Sequence, residues 1–311
     1  MRPLRKGASI AVTGALAALT LLLTAVPASA ATLNGDWAPF TRCPVDDPAM
    51  LAADGVSTVD LCLASHSASG SIKLGSITAT TGASDLQLGL LSSSGTFKLV
   101  SPSGGAIVSD PVKVPGGLLG LMCPSKLLLV AQLCQQATDN DLNNVFATVE
   151  PAGAPSDFNL AAGLSTGQPI LTLPVKIHLQ NPLLAASCTI GSDSHPILLK
   201  PANLTSPAAS FTRFDGDGTD DPANGALIRI GLSGAAQGDD SFAVPGATGC
   251  GLLGLANTAI NLKSGLPSPA GKNSLVLNDA STFLAGFNIP SDFAPNAGQQ
   301  LSSLWHSAQQ S

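Results

Sequence analysis

The sequence contains no tyrosine, two tryptophans and ten phenylalanines among its 311 residues. Surfaces that bind sugars or single-stranded nucleic acid usually depend on stacked aromatic rings, so this scarcity argues against both classes of binding protein. Glutamate is also scarce, because 19 of the 20 acidic residues are aspartate. Aspartate favours turns and caps whereas glutamate favours helix interiors. This bias, together with 32 glycines and 23 prolines, predicts a turn-rich fold.

Long apolar runs are absent after the first thirty residues, where none approaches the roughly 20 residues that span a bilayer. The first thirty residues themselves resemble a targeting segment. Arg2, Arg5 and Lys6 precede an apolar run from Ala8 to Val26, and Ala28-Ser29-Ala30 supplies small residues for cleavage. We therefore predict a signal peptide at residues 1–30, with a retained membrane anchor as the alternative. The absence of an adjacent arginine pair favours the general secretion route.

Basic residues are few in the mature chain. Cleavage after residue 30 leaves 11 Lys and Arg against 20 Asp and Glu. Such a surface repels phosphate backbones and anionic lipids, which disfavours nucleic-acid partners. The remaining 281 residues suffice for one large β domain or two smaller ones. We predict two β halves, residues 31–155 and 156–311, with one continuous domain as the alternative.

Six cysteines lie in the mature chain. An even number of cysteines in an exported protein predicts three disulfides, for which fifteen connectivities exist. We predict sequential pairing, with free buried thiols as the alternative. Close spacing of metal ligands is absent, which disfavours a metal site. The predicted pairs are Cys43–Cys62, Cys123–Cys134 and Cys188–Cys250.

The clearest structural pattern is the central segment Ile170 to Pro182, in which apolar residues occupy alternate positions. A period of two buries one face of a strand and exposes the other. Pro174 interrupts the donors of this strand, which predicts an edge position, a bulge or a gap in pairing. Further short alternating segments are separated by Ser, Gly and Pro turns. They are residues 57–63, 69–80, 85–91, 96–100, 106–114, 145–150, 197–199, 226–232 and 274–277.

Two similar GLLGL segments mark the predicted helices. Gly117 to Leu121 follows Val-Pro-Gly, and Gly251 to Leu255 follows a second Val-Pro-Gly at Val244. Each precedes a segment with helical spacing, which is clearest through Leu127, Val130 and Cys134. The pattern is compatible with an internal duplication and with chance. The sequence as a whole therefore predicts a mainly β fold of sandwich or barrel type with one or two short helices, and two similar halves are one arrangement of it.

A GxSxG segment at Gly163 to Gly167 raises the alternative of a serine hydrolase that uses Ser165. A nucleophile elbow requires a strand before the serine and a helix after it. Here an alanine-rich loop precedes Ser165, and Gln-Pro followed by a strand comes after it. We therefore interpret Ser165 as an ordinary turn residue and predict no catalytic residue.

The densest acidic cluster consists of Asp215, Asp217, Asp220 and Asp221. Carboxylates converging from one turn suit calcium, which binds six to eight oxygen atoms. An EF-hand loop would need an acidic residue where Ala226 stands, so the prediction is limited to a loop-type calcium site. The alternative is a solvated loop in which Asp and Gly serve turn geometry. Calcium is the one cofactor that the sequence suggests.

Other residue types give no recognisable site. The four histidines are far apart in sequence, and no phosphate-binding glycine loop connects a strand to a helix, so a nucleotide enzyme is unsupported. Trp37 and Trp305 are expected to be packing anchors. The histidines are His66, His178, His195 and His306.

Several motifs in order resemble a family of exported proteins from high-GC Gram-positive bacteria. They are LTLPVKIHLQNPLLAASCTIGSDSHPI, VPGGLLGL and CGLLGL with NLKSGLPSPAGKNSLVLND. The resemblance extends from the WAPFTRCP segment to Asp279. It implies export from an actinobacterium-like cell and transfers no catalytic or binding residue, because the family carries no assigned activity.

The expected function is that of a non-catalytic protein that is secreted or associated with the cell envelope. An alternative is a binder of an apolar small molecule or lipid, which aliphatic strands with few aromatic residues suggest. The serine hydrolase using Ser165 is the third alternative.

Overall fold

Short antiparallel strands dominate the computed structural model, which describes residues 32–136 and 140–309. Residues 1–30, on which the signal-peptide prediction rests, lie outside the described residues. The strands are β1 (Val59–Ser67), β2 (Ser69–Leu74), β3 (Ile77–Thr81), β4 (Ser84–Ser93), β5 (Thr96–Val100), β6 (Ile107–Ser109), β7 (Val112–Lys113), β8 (Phe146–Pro151), β9 (Leu173–Gln180), β10 (Thr189–Ile190), β11 (Ile197–Leu199), β12 (Ala202–Asn203), β13 (Ala208–Phe214), β14 (Leu227–Asp239), β15 (Ala247–Thr248) and β16 (Ser274–Phe287).

These strands form a 10-stranded sheet and a 6-stranded sheet in a sandwich-like arrangement, which confirms the predicted mainly β class. The larger sheet has the order β12-β14-β16-β1-β4-β5, with β13 beside β14, β6 beside β4, and the β2–β3 hairpin beside β16. The smaller sheet has the order β15-β10-β9-β8-β7, with β11 also paired to β9. Strands from residues 31–155 and from residues 156–311 contribute to both sheets.

The central segment of the sequence forms β9, the middle strand of the smaller sheet. Its burial alternates as predicted, with Val175, Ile177 and Leu179 inside. Pro174 lies just beyond the last residue pair of β8 and β9, which is Pro151 with Val175. There the Ala152 N–H donates to the Pro174 carbonyl at 3.0 Å. The missing donor therefore affects only the end of that strand pair.

The helices are short. They are α1 (Pro48–Leu51), α2 (Gly117–Met122), α3 (Leu128–Gln136), α4 (Asn140–Asn143), α5 (Leu160–Gly163), α6 (Leu255–Ser264) and α7 (Ala297–Ser307), with 3₁₀ turns at Gly35–Phe40, Leu252–Gly254 and Pro290–Phe293. The first GLLGL segment itself forms α2 and is followed by the predicted helix, α3, whereas the second ends at the start of α6. The helices α2 and α6 pack on each other. Within the described ranges, no helix combines the length and apolar character that crossing a bilayer requires.

Strand β1, near the centre of the larger sheet, is buried on both faces. Leu63 belongs to a cluster on the face toward the second cavity described below, whereas Cys62 and Ala64 contact the N-terminal segment and α7. On that outer face Trp37 and Trp305 are both buried, as expected of packing anchors. Their indole N–H groups donate to the carbonyls of Gly216 and Phe40 at 3.1 and 2.9 Å, respectively. The N terminus of the described chain is thereby fixed to its C terminus.

Three disulfides join the same cysteine pairs that the sequence analysis predicts: Cys43–Cys62, Cys123–Cys134 and Cys188–Cys250. The first ties the N-terminal segment to β1, and the third joins the start of β10 to the end of β15. Three disulfides in one chain are compatible with an extracellular protein.

Candidate functional site

An apolar cavity of about 140 Å³ lies between the two sheets. Side chains of β2, β3 and β16 line it on one side, and side chains of β8, β9 and β11 line it on the other. Ile72, Ile77 and Leu275 represent the first side, and Val175 and Leu199 the second. The cavity arises because the inward positions of these strands hold branched aliphatic residues with few large aromatic rings to fill the space. An engineered apolar cavity of about 150 Å³ binds benzene, so this volume suffices for an apolar group of that size.

A second cavity of about 140 Å³ adjoins the first. It lies between β1, β14 and β16 of the larger sheet and the segment that carries α5. Four residues line both cavities: Ser65, Leu86, Pro201 and Gln237. We call these four residues the waist. The shared lining places the two spaces side by side, with the waist between them.

The first cavity reaches the surface at a polar end. His66 and Asp110 are exposed members of its lining, and Ser67, Ser84 and Ser109 lie near them. The His66 Nδ1 lies 2.8 Å from the Asp85 carboxylate, and the His66 side chain is 49% exposed. Lysine and arginine are absent from the described lining of both cavities, so neither compartment offers a fixed cation to an anionic group.

The second cavity reaches the surface at an apolar end. Leu164 and Phe211 belong to its lining, yet they are 54% and 67% exposed. Leu204, from the loop after β12, is 54% exposed as well. Exposed apolar residues beside an apolar cavity are typical of the opening of a ligand-binding site.

The waist contains two polar side chains with defined partners. Asn203 is 1% exposed, and its amide nitrogen donates to the carbonyls of Gly163 and Ser165 at 2.8 and 3.1 Å. Its amide oxygen accepts from the Gln237 Nε2 at 3.1 Å. On the other side of the waist, the Ser65 and Thr282 hydroxyl oxygens are 2.8 Å apart. The residues around both pairs are mostly aliphatic.

Sequence reasoning missed these residues. The predicted strand ended at Leu232, whereas β14 continues through two register shifts to Asp239 and carries Gln237 into the interior. Residues 233–239 are rich in Gly and Ala, which are depleted in strands, so the local sequence gave no signal that β14 continues. The register shifts on either side of Ala235 also disrupt the alternation that would have marked Gln237 as an inward residue.

Ser165 does not occupy a nucleophile elbow. It is exposed and follows α5, and an irregular segment with Gly167 comes after it. Its backbone N–H donates to Ala162 and its carbonyl accepts from Asn203. The hydrogen-bonding partners of the four histidine rings in the described chain are Asp85 for His66, Glu150 and Ala186 for His178, Ser194 for His195, and Asp46 and Gln309 for His306. The structure therefore brings Ser165 together with none of these rings.

The aspartate-rich loop holds the N-terminal segment. The Gly218 carbonyl accepts from the Asp36 N–H at 2.9 Å, and a Cβ on Gly218 would overlap the Asn34 carbonyl, so this contact requires glycine. Asp217 accepts from the Thr219 N–H, which lowers the pKa of the Asp217 carboxyl below its usual value.

The predicted calcium ligands do not form a recognisable group in this structure. Asp221 accepts from the backbone N–H groups of Ala223 and Asn224, and the Asp215 carbonyl and N–H close the turn with Gly218 and Thr219. Across residues 32–136 and 140–309, no three His, Cys, Asp or Glu side chains are grouped as metal ligands would be. Calcium binding by Asp215, Asp217, Asp220 and Asp221 stays a prediction.

Comparison with other proteins gives no identification: no protein-family model matches the chain, and no curated protein or solved structure matches it.

Proposed function

We propose that this protein is a secreted or envelope-associated binder of an apolar small molecule or lipid, which it holds between its two sheets. The observation that carries the proposal is the pair of adjoining aliphatic cavities, each of about 140 Å³. Interiors of proteins are otherwise packed to nearly crystalline density, so two such spaces side by side have a cost in lost contacts. Binding an apolar molecule would restore those contacts.

The surface features support the same proposal. An apolar ligand needs an apolar path into the interior, and Leu164 and Phe211 provide one at the second cavity. Lysine and arginine are absent from the described lining, which favours a neutral ligand over an anionic one. Binding of this kind requires no catalytic group, in agreement with the expectation of a non-catalytic protein.

The test is titration with the neutral apolar dye N-phenyl-1-naphthylamine, followed by its fluorescence, using the wild type and Ala79→Phe. Ala79 lines the first cavity, and we expect a phenyl ring at this position to occupy space that the dye would use. We expect the wild type to bind the dye and Ala79→Phe to bind it about tenfold or more weakly. Thr80→Phe is the matched control, because Thr80 is exposed on the next position of the same strand.

Organic-solvent extraction of the purified protein, followed by mass spectrometry, gives an independent measurement. We expect a stoichiometric apolar compound in the extract. Absence of dye binding to both the wild type and the extracted protein would contradict the proposal, and so would equal binding by Ala79→Phe and Thr80→Phe.

A further inference from the structure

The waist between the two cavities differs from the rest of the apolar interior. Two of its four members, Ser65 and Gln237, are polar, and Gln237 is only 9% exposed. Buried polar atoms in proteins normally have at least one hydrogen-bond partner. The bonds of these two groups therefore indicate what a ligand crossing the waist would meet.

The orientation of the Gln237 amide is fixed by its neighbour. Asn203 donates from Nδ2 to two backbone carbonyls, so its Oδ1 must be turned toward Gln237. Gln237 must then present Nε2 to Asn203, and its Oε1 is left as an acceptor. In the described chain no group donates to Oε1, and this atom is not enclosed by protein as the buried unpartnered atoms elsewhere are.

Ser65 adds a second polar group to the waist. One hydroxyl hydrogen is used between Ser65 and Thr282, so the pair retains one further hydrogen and free lone pairs. Ser65 lines both cavities and Thr282 lines the second. The waist therefore offers a ligand two polar groups: the acceptor oxygen of Gln237 and the hydroxyl pair of Ser65 and Thr282.

We infer that the ligand is a neutral lipid with a hydroxyl group between two apolar arms, one arm in each cavity, and that this hydroxyl donates to Gln237 Oε1. The inference rests on the proposed function. An acceptor with a fixed orientation on the wall of an apolar cavity selects a donor, since a bound ligand without one would cover the acceptor and leave it unpaired. A carboxylate or phosphate at this point would face an acceptor oxygen with no lysine or arginine in the described lining.

The test compares three esters that differ only at one mid-chain carbon: methyl 12-hydroxystearate, methyl stearate and methyl 12-oxostearate. Displacement of N-phenyl-1-naphthylamine from the wild type measures their affinities. We expect the hydroxy ester to bind about tenfold more tightly than methyl stearate, and more tightly than the keto ester as well. The keto group can accept from the Ser65–Thr282 pair, but it leaves Gln237 Oε1 without a donor. This ligand series needs no altered protein, so it does not depend on the folding of a variant.

Gln237→Met removes the acceptor while keeping the length of the side chain. We expect this variant to lose the preference for the hydroxy ester and to bind methyl stearate as the wild type does. Gln300→Met, on the exposed surface of α7, is the control and should keep the preference.

Equal binding of all three esters by the wild type would overturn the inference and leave the proposed function standing. An unchanged preference in Gln237→Met would overturn it as well. Failure of all three esters and of the dye to bind would overturn the proposed function together with the inference.

Discussion

Asp60 has a buried carboxyl group whose charge is not stabilised by any hydrogen bond within the described chain. It lies on β1 opposite Leu91, it is 1% exposed, and neither of its side-chain oxygens has a partner in the described chain. Burial raises its pKa from the usual 3.8 to about 6. The charged form is therefore unfavourable in the folded protein.

We predict that Asp60→Asn raises stability at neutral pH. With a folded-state pKa of about 6 against 3.8 in the unfolded chain, the folded protein binds the proton more tightly. Below about pH 4 Asp60 is protonated in the folded protein and does not lower the free energy of unfolding. As the pH rises from about 4 to 6 this free energy falls, and above pH 6 it is lower by about 3 kcal/mol. Since the amide also lacks a partner, the gain at pH 7.5 will be smaller than this figure.

Urea denaturation of the wild type and Asp60→Asn at pH 4.0 and pH 7.5 measures the effect. The difference between the two proteins should be larger at pH 7.5 and should nearly vanish or reverse at pH 4.0. Asp240→Asn, at an exposed aspartate, is the control and should show a small difference at either pH. A difference for Asp60→Asn that does not change with pH would contradict the assignment.

Among the elements, those with short-range alternation could be predicted from the sequence. The predicted strands at 96–100 and 197–199 have the bounds of β5 and β11, and the predicted segment 69–80 forms the β2–β3 hairpin, with Gly75 in its turn. Alternation is visible there because one face of each strand is buried and the other is exposed. Both helices expected after the GLLGL segments are present.

The sequence analysis did not predict β13, the second part of β16, or α7, and each has a physical reason for lacking a clear local pattern. β13 is exposed over its first four residues, so it has no buried face to create alternation. β16 was predicted only to Leu277, because Asn278 and Asp279 interrupt its apolar character and Asp279 has a φ of +49°. α7 is short and rich in Ser and Gln, and its burial depends on contacts with residues far away in sequence. Those contacts cannot be inferred from a local window.

We predict that α7 stabilises the N-terminal segment through Trp305. This side chain is 7% exposed, and its indole N–H donates to the Phe40 carbonyl at 2.9 Å. Trp305→Ala should lower the free energy of unfolding by about 3–5 kcal/mol, because it leaves a large cavity and an unpaired carbonyl. Hydrogen exchange of residues 33–45 should accelerate more than that of β9.

His306→Ala is the matched control on the same helix. The His306 Nε2 bonds to the Asp46 carboxylate at 2.9 Å, but the two side chains are 46% and 63% exposed. Exposed ion pairs contribute little, so the expected loss is about 0–1 kcal/mol. Comparable losses for the two variants would show that the buried ring is not what holds the segment.

The candidate site exists only at the scale of the whole molecule. Its waist combines residues from β1, β4, β14 and the Pro201 loop, which are distant in the chain. The sequence could suggest an apolar binder because its strands are aliphatic and its aromatic residues few. It could not show that two cavities adjoin, or that Asn203 orients Gln237, since both facts depend on how the sheets face each other.

Two of the three disulfides should contribute different amounts to the stability of the folded protein. Cys188 and Cys250 are both 0% exposed, are 62 residues apart, and flank the paired strands β10 and β15. Cys123 and Cys134 are only 11 residues apart. Because the entropy that a crosslink removes from the unfolded chain grows with loop length, these bridges should contribute about 4 and about 3 kcal/mol, respectively.

We predict that replacing Cys188 and Cys250 together by alanine lowers the urea midpoint more than replacing Cys123 and Cys134. The first pair should also weaken dye binding, because β10 carries Ile190 into the first cavity and loses its covalent attachment beside β15. The second pair should leave dye binding close to that of the wild type, since neither cysteine lines a cavity in the described chain. Equal dye affinity in the two double variants would mean that the cavity keeps its shape without the Cys188–Cys250 bridge, and that this bridge contributes to stability alone.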